Sequence, residues 1–148
     1  MIRAHDLHKS FKTRTGTVNA VAGVGFEAHD GQITGLLGPN GAGKTTTLRM
    51  LYTLMKPDRG SIEVDGIDVA RDPVAVRRAL GVLPDARGVY KRLTARENIT
   101  YFARLHGLSP QHTTERVAAL SAALDMDEIL DRQTEGFSQG QRTKTAIA

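Results

Sequence analysis

Apolar and polar residues alternate through positions 1–28 with no helical period, which predicts strands, one of them over residues 18–26 leading into an Asp30-Gly31 turn. The run Ile33-Thr34-Gly35-Leu36-Leu37 predicts a buried strand. After a glycine-rich loop, a helix is expected from Thr46 to about Met55, with Leu48, Leu51 and Met55 on one face. Lys56-Pro57-Asp58-Arg59-Gly60 reads as a turn, residues 61–66 as a strand and turn, and residues 67–69 as a second short extended piece. Pro73 opens a helix over Val74 to Leu80, and Gly81-Val82-Leu83-Pro84 reads as a short buried strand.

Beyond Pro84 the pattern turns helical. Thr94-Ala95-Arg96-Glu97 is a capping box that opens a helix to about His106, closed by Gly107. Ser109 and Pro110 are the expected cap and first residue of the next helix, whose Val117, Leu120 and Leu124 share a face. A short helix is expected over residues 127–131. Ser138-Gln139-Gly140-Gln141 is another capping box, so a helix begins at Ser138.

Composition narrows the class. The 148 residues suffice for one ordinary core, and 40% hydrophobic with 24% charged content is that of a globular protein. Net charge is +4, which suits phosphate ligands or an anionic surface. No basic run with interleaved aromatics favours nucleic acid. The chain has no cysteine, which excludes disulfides and thiolate metal sites. His5 and His8, three apart on a strand, are expected on opposite faces and so not on one metal. No apolar stretch is long enough to span a bilayer, and the N-terminus lacks a signal-peptide run. The expectation is a cytoplasmic chain. The basic group Arg87, Lys91, Arg92 and Arg96 is expected to be a solvated face, with contact to a membrane subunit or anionic headgroups as the other reading.

Chemistry enters at residues 38–45. Gly38-Pro39-Asn40-Gly41-Ala42-Gly43-Lys44-Thr45 fits G-x-x-x-x-G-K-[ST], between an expected strand and an expected helix. A triphosphate needs many donors in a small space. Glycines let successive amides turn inward, Lys44 supplies a mobile charge for the β- and γ-phosphates, and the Thr45 hydroxyl suits Mg²⁺. The helix that follows places its positive dipole end at the phosphates. Ser138 and the first amides of its helix form a second anion site.

With these motifs in order, the chain resembles the ATP-binding subunit of an ABC transporter over its whole length. Residues 38–45 match the Walker A loop, and Phe137-Ser138-Gln139-Gly140-Gln141 resembles the signature Leu-Ser-Gly-Gly-Gln. Phe11 stands where the family places an aromatic that stacks on adenine, and Asp85 stands at the usual Q-loop glutamine. The run Leu93-Thr94-Ala95-Arg96-Glu97-Asn98, taken with this signature, is similar to the sodium-exporter-like branch. The resemblance implies an α/β fold: a P-loop NTPase core with an N-terminal β-rich part (1–84), then a Q-loop region, helical subdomain and signature helix (85–148). It implies ATP and Mg²⁺ as ligands. The nucleotide residues would be Phe11, Gly38, Pro39, Asn40, Gly41, Ala42, Gly43, Lys44, Thr45 and Thr46, with Thr45 and Asp85 at the metal. Ser138, Gln139, Gly140 and Gln141 would act in trans, on the nucleotide of a second ATP-binding subunit. An integral membrane permease would hold the pair at the inner face of the membrane.

The departures are Asp85, which adds negative charge near the phosphates, and the C-terminal side. No apolar β-run ending in Asp-Glu follows the signature, and no switch histidine. The expectation is one incomplete cassette, truncated before the Walker B strand, that binds ATP but contains no catalytic residue for hydrolysis. The alternative is a truncated nucleotide-binding regulatory or interaction protein without ATPase activity. A GTPase-type switch (Asp85-Ala86-Arg87-Gly88 fits D-x-x-G) lacks a guanine motif, and a soluble cassette acting in translation or DNA repair lacks a second cassette.

Overall fold

The alternation of the first residues becomes a long hairpin of β1 (Ile2–Thr13) and β2 (Gly16–Ala28), paired antiparallel from Ile2↔Ala28 to Thr13↔Gly16. The computed structural model describes residues 1–83 and 88–148, in two units, Met1–Val82 and Leu83–Ala148. In the first unit β1 also pairs with β3 (Arg59–Val64), and β3 with β4 (Ile67–Asp68), so the sheet runs β2-β1-β3-β4 and is antiparallel throughout. Arg59 and Gly60, expected in the turn, belong to β3.

The strict alternation breaks at Asp6, whose φ of 46° makes a bulge. Ala4 and Leu7 are therefore both buried although three residues apart. The register steps from His5↔Ser61 to His8↔Arg59, two residues on β3 for three on β1. This corrects the expectation for the histidines: the bulge returns His5 and His8 to the same face. Gly60 makes room for it, since at φ 90° a Cβ there would lie 2.3 Å from the Asp6 oxygen and 2.4 Å from that of His5.

Helix α1 (Lys44–Leu51) stops short of Met55 because Thr53 takes φ 67° and the amides of Leu54 and Met55 both close on the Arg49 carbonyl. Its buried residues are Thr47 and Met50, while Leu48 is 43% exposed. The inward face is thus rotated from the one expected, with Leu51 and Met55 only partly covered. Helix α2 (Pro73–Ala79) is capped by Asp72, whose Oδ1 accepts from the Ala75 amide at 2.9 Å, and Val76 packs into the core. That core is Ala4, Leu7, Val21, Met50, Ile62, Val64, Val69 and Val76.

Two expected strands do not form. Residues 33–37 carry no strand pairing, with Ile33 and Leu37 at 104% and 92% exposure. Gly81, Val82 and Leu83 are likewise unpaired and exposed; Pro84 lies outside the described residues. An apolar run becomes a buried strand only with strands beside it, and none of the described residues pairs with either segment.

The second unit is helical. Helix α3 (Ala95–Leu105) starts from the expected capping box, Thr94 Oγ1 accepting from the Glu97 amide and Glu97 accepting from the Thr94 amide. Helix α4 (Pro110–Leu124) is capped by Ser109. Its buried line is Thr113, Val117 and Ser121, with Leu120 and Leu124 half-buried. Both hydroxyls are bonded, Thr113 to the Ser109 carbonyl at 2.9 Å and Ser121 to Asp127 at 2.6 Å, so the polar residues can be inside. Residues 127–131 are turns rather than a helix: Ile129 and Arg132 each bond back three residues, and this places Ile129 and Leu130 in the core with Ala95, Ile99, Val117, Met126 and Phe137. A 3-10 turn at Thr134–Gly136 leads to α5 (Gln139–Ile147).

Candidate functional site

The loop of residues 38–45 is seated by β2. The register jumps from Lys9↔Val21 to Ser10↔Asn19, which leaves Ala20 as the extra residue of a second bulge. The Ala20 carbonyl meets Gly43, where an ideal Cβ would stand 2.2 Å from the oxygen. Gly43 is also the N-cap of α1 at φ 85°, a conformation L side chains resist. Its carbonyl accepts the Thr47 amide at 2.8 Å, and Thr47 is buried. The loop therefore hands over to the helix at one point fixed by the Ala20 carbonyl.

Within the loop the Ala42 amide bonds the Pro39 carbonyl at 3.2 Å. Lys44 curls back so that its ammonium donates to the carbonyls of Gly38 at 2.6 Å and Pro39 at 2.7 Å. Its charge is thus held against the loop. Gly38, Pro39, Asn40, Gly41 and Ala42 are exposed, as is Thr45, with Thr46 half-buried. Thr45 offers one hydroxyl. No group of three or more His, Cys, Asp or Glu suited to a metal occurs among the described residues. A cation held by one hydroxyl and little other protein has to bring further oxygen ligands, which is the chemistry of Mg²⁺ arriving on phosphates. Asp85, the other expected metal residue, lies outside the described residues.

Phe11 sits on β1 opposite Val18, on the hairpin that carries the Ala20 bulge. Its ring is 39% exposed, with the Lys9 ammonium 5.9 Å from the centroid. The Lys9 ammonium in turn holds the Asp58 carboxyl below the usual carboxylate range, helped by the Ser10 amide.

In the second unit Phe137 is buried under the Arg132 guanidinium, 5.8 Å from the ring centroid, and so aims the chain into α5. Ser138 and Gln141 close the expected capping box: Oγ accepts from the Gln141 amide at 3.2 Å and Gln141 Oε1 from the Ser138 amide at 3.0 Å. Since Oγ accepts, its own hydrogen remains to donate outward. The Gln139 and Gly140 amides belong to the first helical turn, which has no intrahelical acceptors for them. Gly140 meets only Ser138 Oγ, at 3.9 Å, so nothing in this chain requires a glycine there. A helical glycine costs about 1 kcal/mol against alanine. The space it leaves is on the outside.

Of the expected basic group, Arg96 is engaged by Asp131, Nε to Oδ1 at 2.6 Å and a terminal nitrogen to Oδ2 at 2.9 Å. Lys91 and Arg92 are exposed, and Arg87 lies outside the described residues. Sequence reasoning missed Ala20 and Thr47. Thr47 sits next to the motif, in the first turns of the helix that follows it; Ala20 carries no local sign.

A family model described as ABC transporter matches residues 21–148. The ABC transporter ATP-binding protein NatA of Bacillus subtilis (strain 168) is 42% identical over 149 residues, covering 100% of this chain and 61% of NatA. The daunorubicin/doxorubicin resistance ATP-binding protein DrrA of Streptomyces peucetius is 39% identical over 146 residues, 99% of this chain and 44% of DrrA. The chain thus spans less than two thirds of both relatives. Among solved structures, an ATP-binding cassette dimer in a post-hydrolysis state with ADP and Pi superposes with a TM-score of 0.83 at 22% identity, over 99% of this chain and 67% of that one. At that identity the likeness speaks for the fold.

Proposed function

This chain belongs to the ABC transporter family and has its ATP-binding cassette fold, and from that premise we propose that it holds MgATP at residues 38–46 and closes on a second cassette through residues 138–141. The reading rests above all on Lys44, folded over a loop whose helix entrance is locked against β2 by Gly43. In this scheme the loop amides and Lys44 take the β- and γ-phosphates, Phe11 stacks on adenine, and Thr45 supplies a hydroxyl to Mg²⁺, which spreads the phosphate charge. Asp85 is a further candidate for that ion. Residues 1–84 act as the nucleotide-binding core, and residues 85–148 as the Q-loop region, helical subdomain and signature.

Closure follows from the second unit. The Ser138 hydroxyl keeps a hydrogen to donate, the amides of Gln139 and Gly140 have no intrahelical acceptor, and the space beside Gly140 admits another molecule. Aimed at the γ-phosphate on a partner cassette, they would form charge-assisted hydrogen bonds worth roughly 1.5–3 kcal/mol each. Such bonds exist only while the γ-phosphate is present, so binding favours the closed pair and hydrolysis releases it. Hydrolysis, coupling to an integral membrane permease and a place at the inner face of the membrane are proposed for the complete subunit on family membership. No helix among the described residues is long and apolar enough to cross a membrane itself. Export of sodium is proposed only on the resemblance of residues 93–98 and the signature to the sodium-exporter-like branch.

Calorimetric titration with MgATP tests the reading. The chain should bind, and Lys44→Ala should abolish binding while leaving the fold intact. Micromolar affinity retained by Lys44→Ala would overturn the assignment.

A further inference from the structure

We propose that Lys9 and Asp58 are positioning residues for the Phe11 ring: Asp58 pins the Lys9 ammonium over one face of the ring, and the nucleotide base takes the other. The inference rests on the reading of Phe11 as the stacking residue and adds what sets that ring.

Asp58 makes three bonds to three consecutive residues of β1. Its Oδ1 accepts from Lys9 Nζ at 2.6 Å, its Oδ2 accepts from the Ser10 amide at 2.7 Å, and its own amide donates to the His8 carbonyl at 2.8 Å. The β1–β3 ladder ends at His8↔Arg59, so Asp58 prolongs it by one step with a side chain in place of a strand. An ordinary surface ion pair is mobile and contributes little. Here the lysine side chain is only 18% exposed, and the carboxylate is tied to the backbone as well. The ammonium therefore stays 5.9 Å from the Phe11 centroid, within cation–π range.

Two consequences bear on the base. A cation on one face of a ring draws π density toward itself, which leaves the opposite face less negative and better suited to stack on an electron-rich purine. The cation also makes the two faces of the ring unequal, which favours one stacking geometry over the other. Asp58 lies in the segment that leaves α1, the helix whose first turn carries Lys44 and Thr45. One residue thus ties the strand of the base to the helix of the phosphates.

The test separates base from phosphate. MgATP and magnesium tripolyphosphate are titrated into the wild type, Lys9→Met, Lys9→Arg, Asp58→Asn and Phe11→Ala. Lys9→Met should weaken MgATP roughly fivefold, the scale of an exposed cation–π contact, and leave tripolyphosphate unchanged. Asp58→Asn should show the same split, Lys9→Arg should restore most of the loss, and Lys9→Met should add nothing in a Phe11→Ala background. If Phe11→Ala loses MgATP selectively while Lys9→Met and Asp58→Asn do not, the ring stacks unaided and the pair has no such role. If Lys9→Met weakens both ligands equally, the pair supports the fold and the inference fails. If Phe11→Ala leaves MgATP binding unchanged, the reading of Phe11 fails and takes the inference with it.

Discussion

Gly43 lies against the Ala20 carbonyl so closely that a Cβ on Gly43 would be 2.2 Å from the oxygen and 3.1 Å from Val21 Cγ2. A backbone group on the other side cannot swing away as a long side chain would. The phosphate loop and the bulge in β2 are therefore a fitted pair, and only a glycine satisfies both the contact and the positive φ.

Gly43→Ala should weaken MgATP binding at least tenfold and destabilise the first unit by about 2 kcal/mol or more, the left-handed conformation alone costing an L residue roughly 1–2 kcal/mol. Urea melts and calorimetric titration check the two effects together. Wild-type values for both would mean that the loop is not seated on Ala20.

Ser138→Arg should leave MgATP binding by the monomer unchanged and prevent ATP-driven dimerisation in a cassette that dimerises. The arginine fills the outer space beside Gly140 and removes the cap of α5, at about 1 kcal/mol. Light scattering with and without MgATP reads the dimer. An equal loss of monomer binding would contradict an action in trans.

Asn98 is buried and fully used. Its Oδ1 accepts from the Tyr90 amide at 2.7 Å, and its Nδ2 donates to the carbonyls of Tyr90 at 3.1 Å and Thr94 at 2.9 Å. Asn98→Asp keeps the shape and turns a donor into an acceptor facing those carbonyls. The expected loss is about 3 kcal/mol at neutral pH, from buried groups left unsatisfied. Urea denaturation of the variant measures it, and a loss under 1 kcal/mol would show the network to be dispensable.

Acid stability should depend on Asp131. The Arg96 guanidinium beside it, forked onto both carboxylate oxygens, holds the Asp131 carboxyl below the usual range. The folded chain thus releases this proton more readily than the unfolded chain. The pair's contribution is complete above the ordinary aspartate value, near pH 4 or about there, and disappears as pH falls through the depressed one. In Asp131→Asn that part of the pH dependence should vanish. Denaturation midpoints of both proteins from pH 7 to pH 2 should converge at the acid end and separate as pH rises.

What could be read from the sequence was mostly local. The loop at 38–45 and the boxes at Thr94 and Ser138 hold residues that bond each other within a few positions, so spacing alone places them. The strands foreseen at 33–37 and 81–84 needed neighbours, and an apolar run does not say whether it has any. Helical spacing found α1 but turned its face, because Thr47 is buried and Leu48 is not. The bulges at Asp6 and Ala20 were hidden, since each depends on which residue of another strand lies opposite. Lys9 and Asp58 are 49 positions apart, and no local pattern joins them.

Ile33 and Leu37 lie exposed in an apolar run that pairs with none of the described residues. Wherever such a run stays uncovered, it is a place where another chain can pair. Its neighbours in a tube of purified protein are other copies of itself, and sulfate or phosphate buffers strengthen the attraction. A melting temperature that rises or falls with protein concentration is the sign that unfolding and self-association are mixed, and stability is then a property of the solution as much as of the molecule.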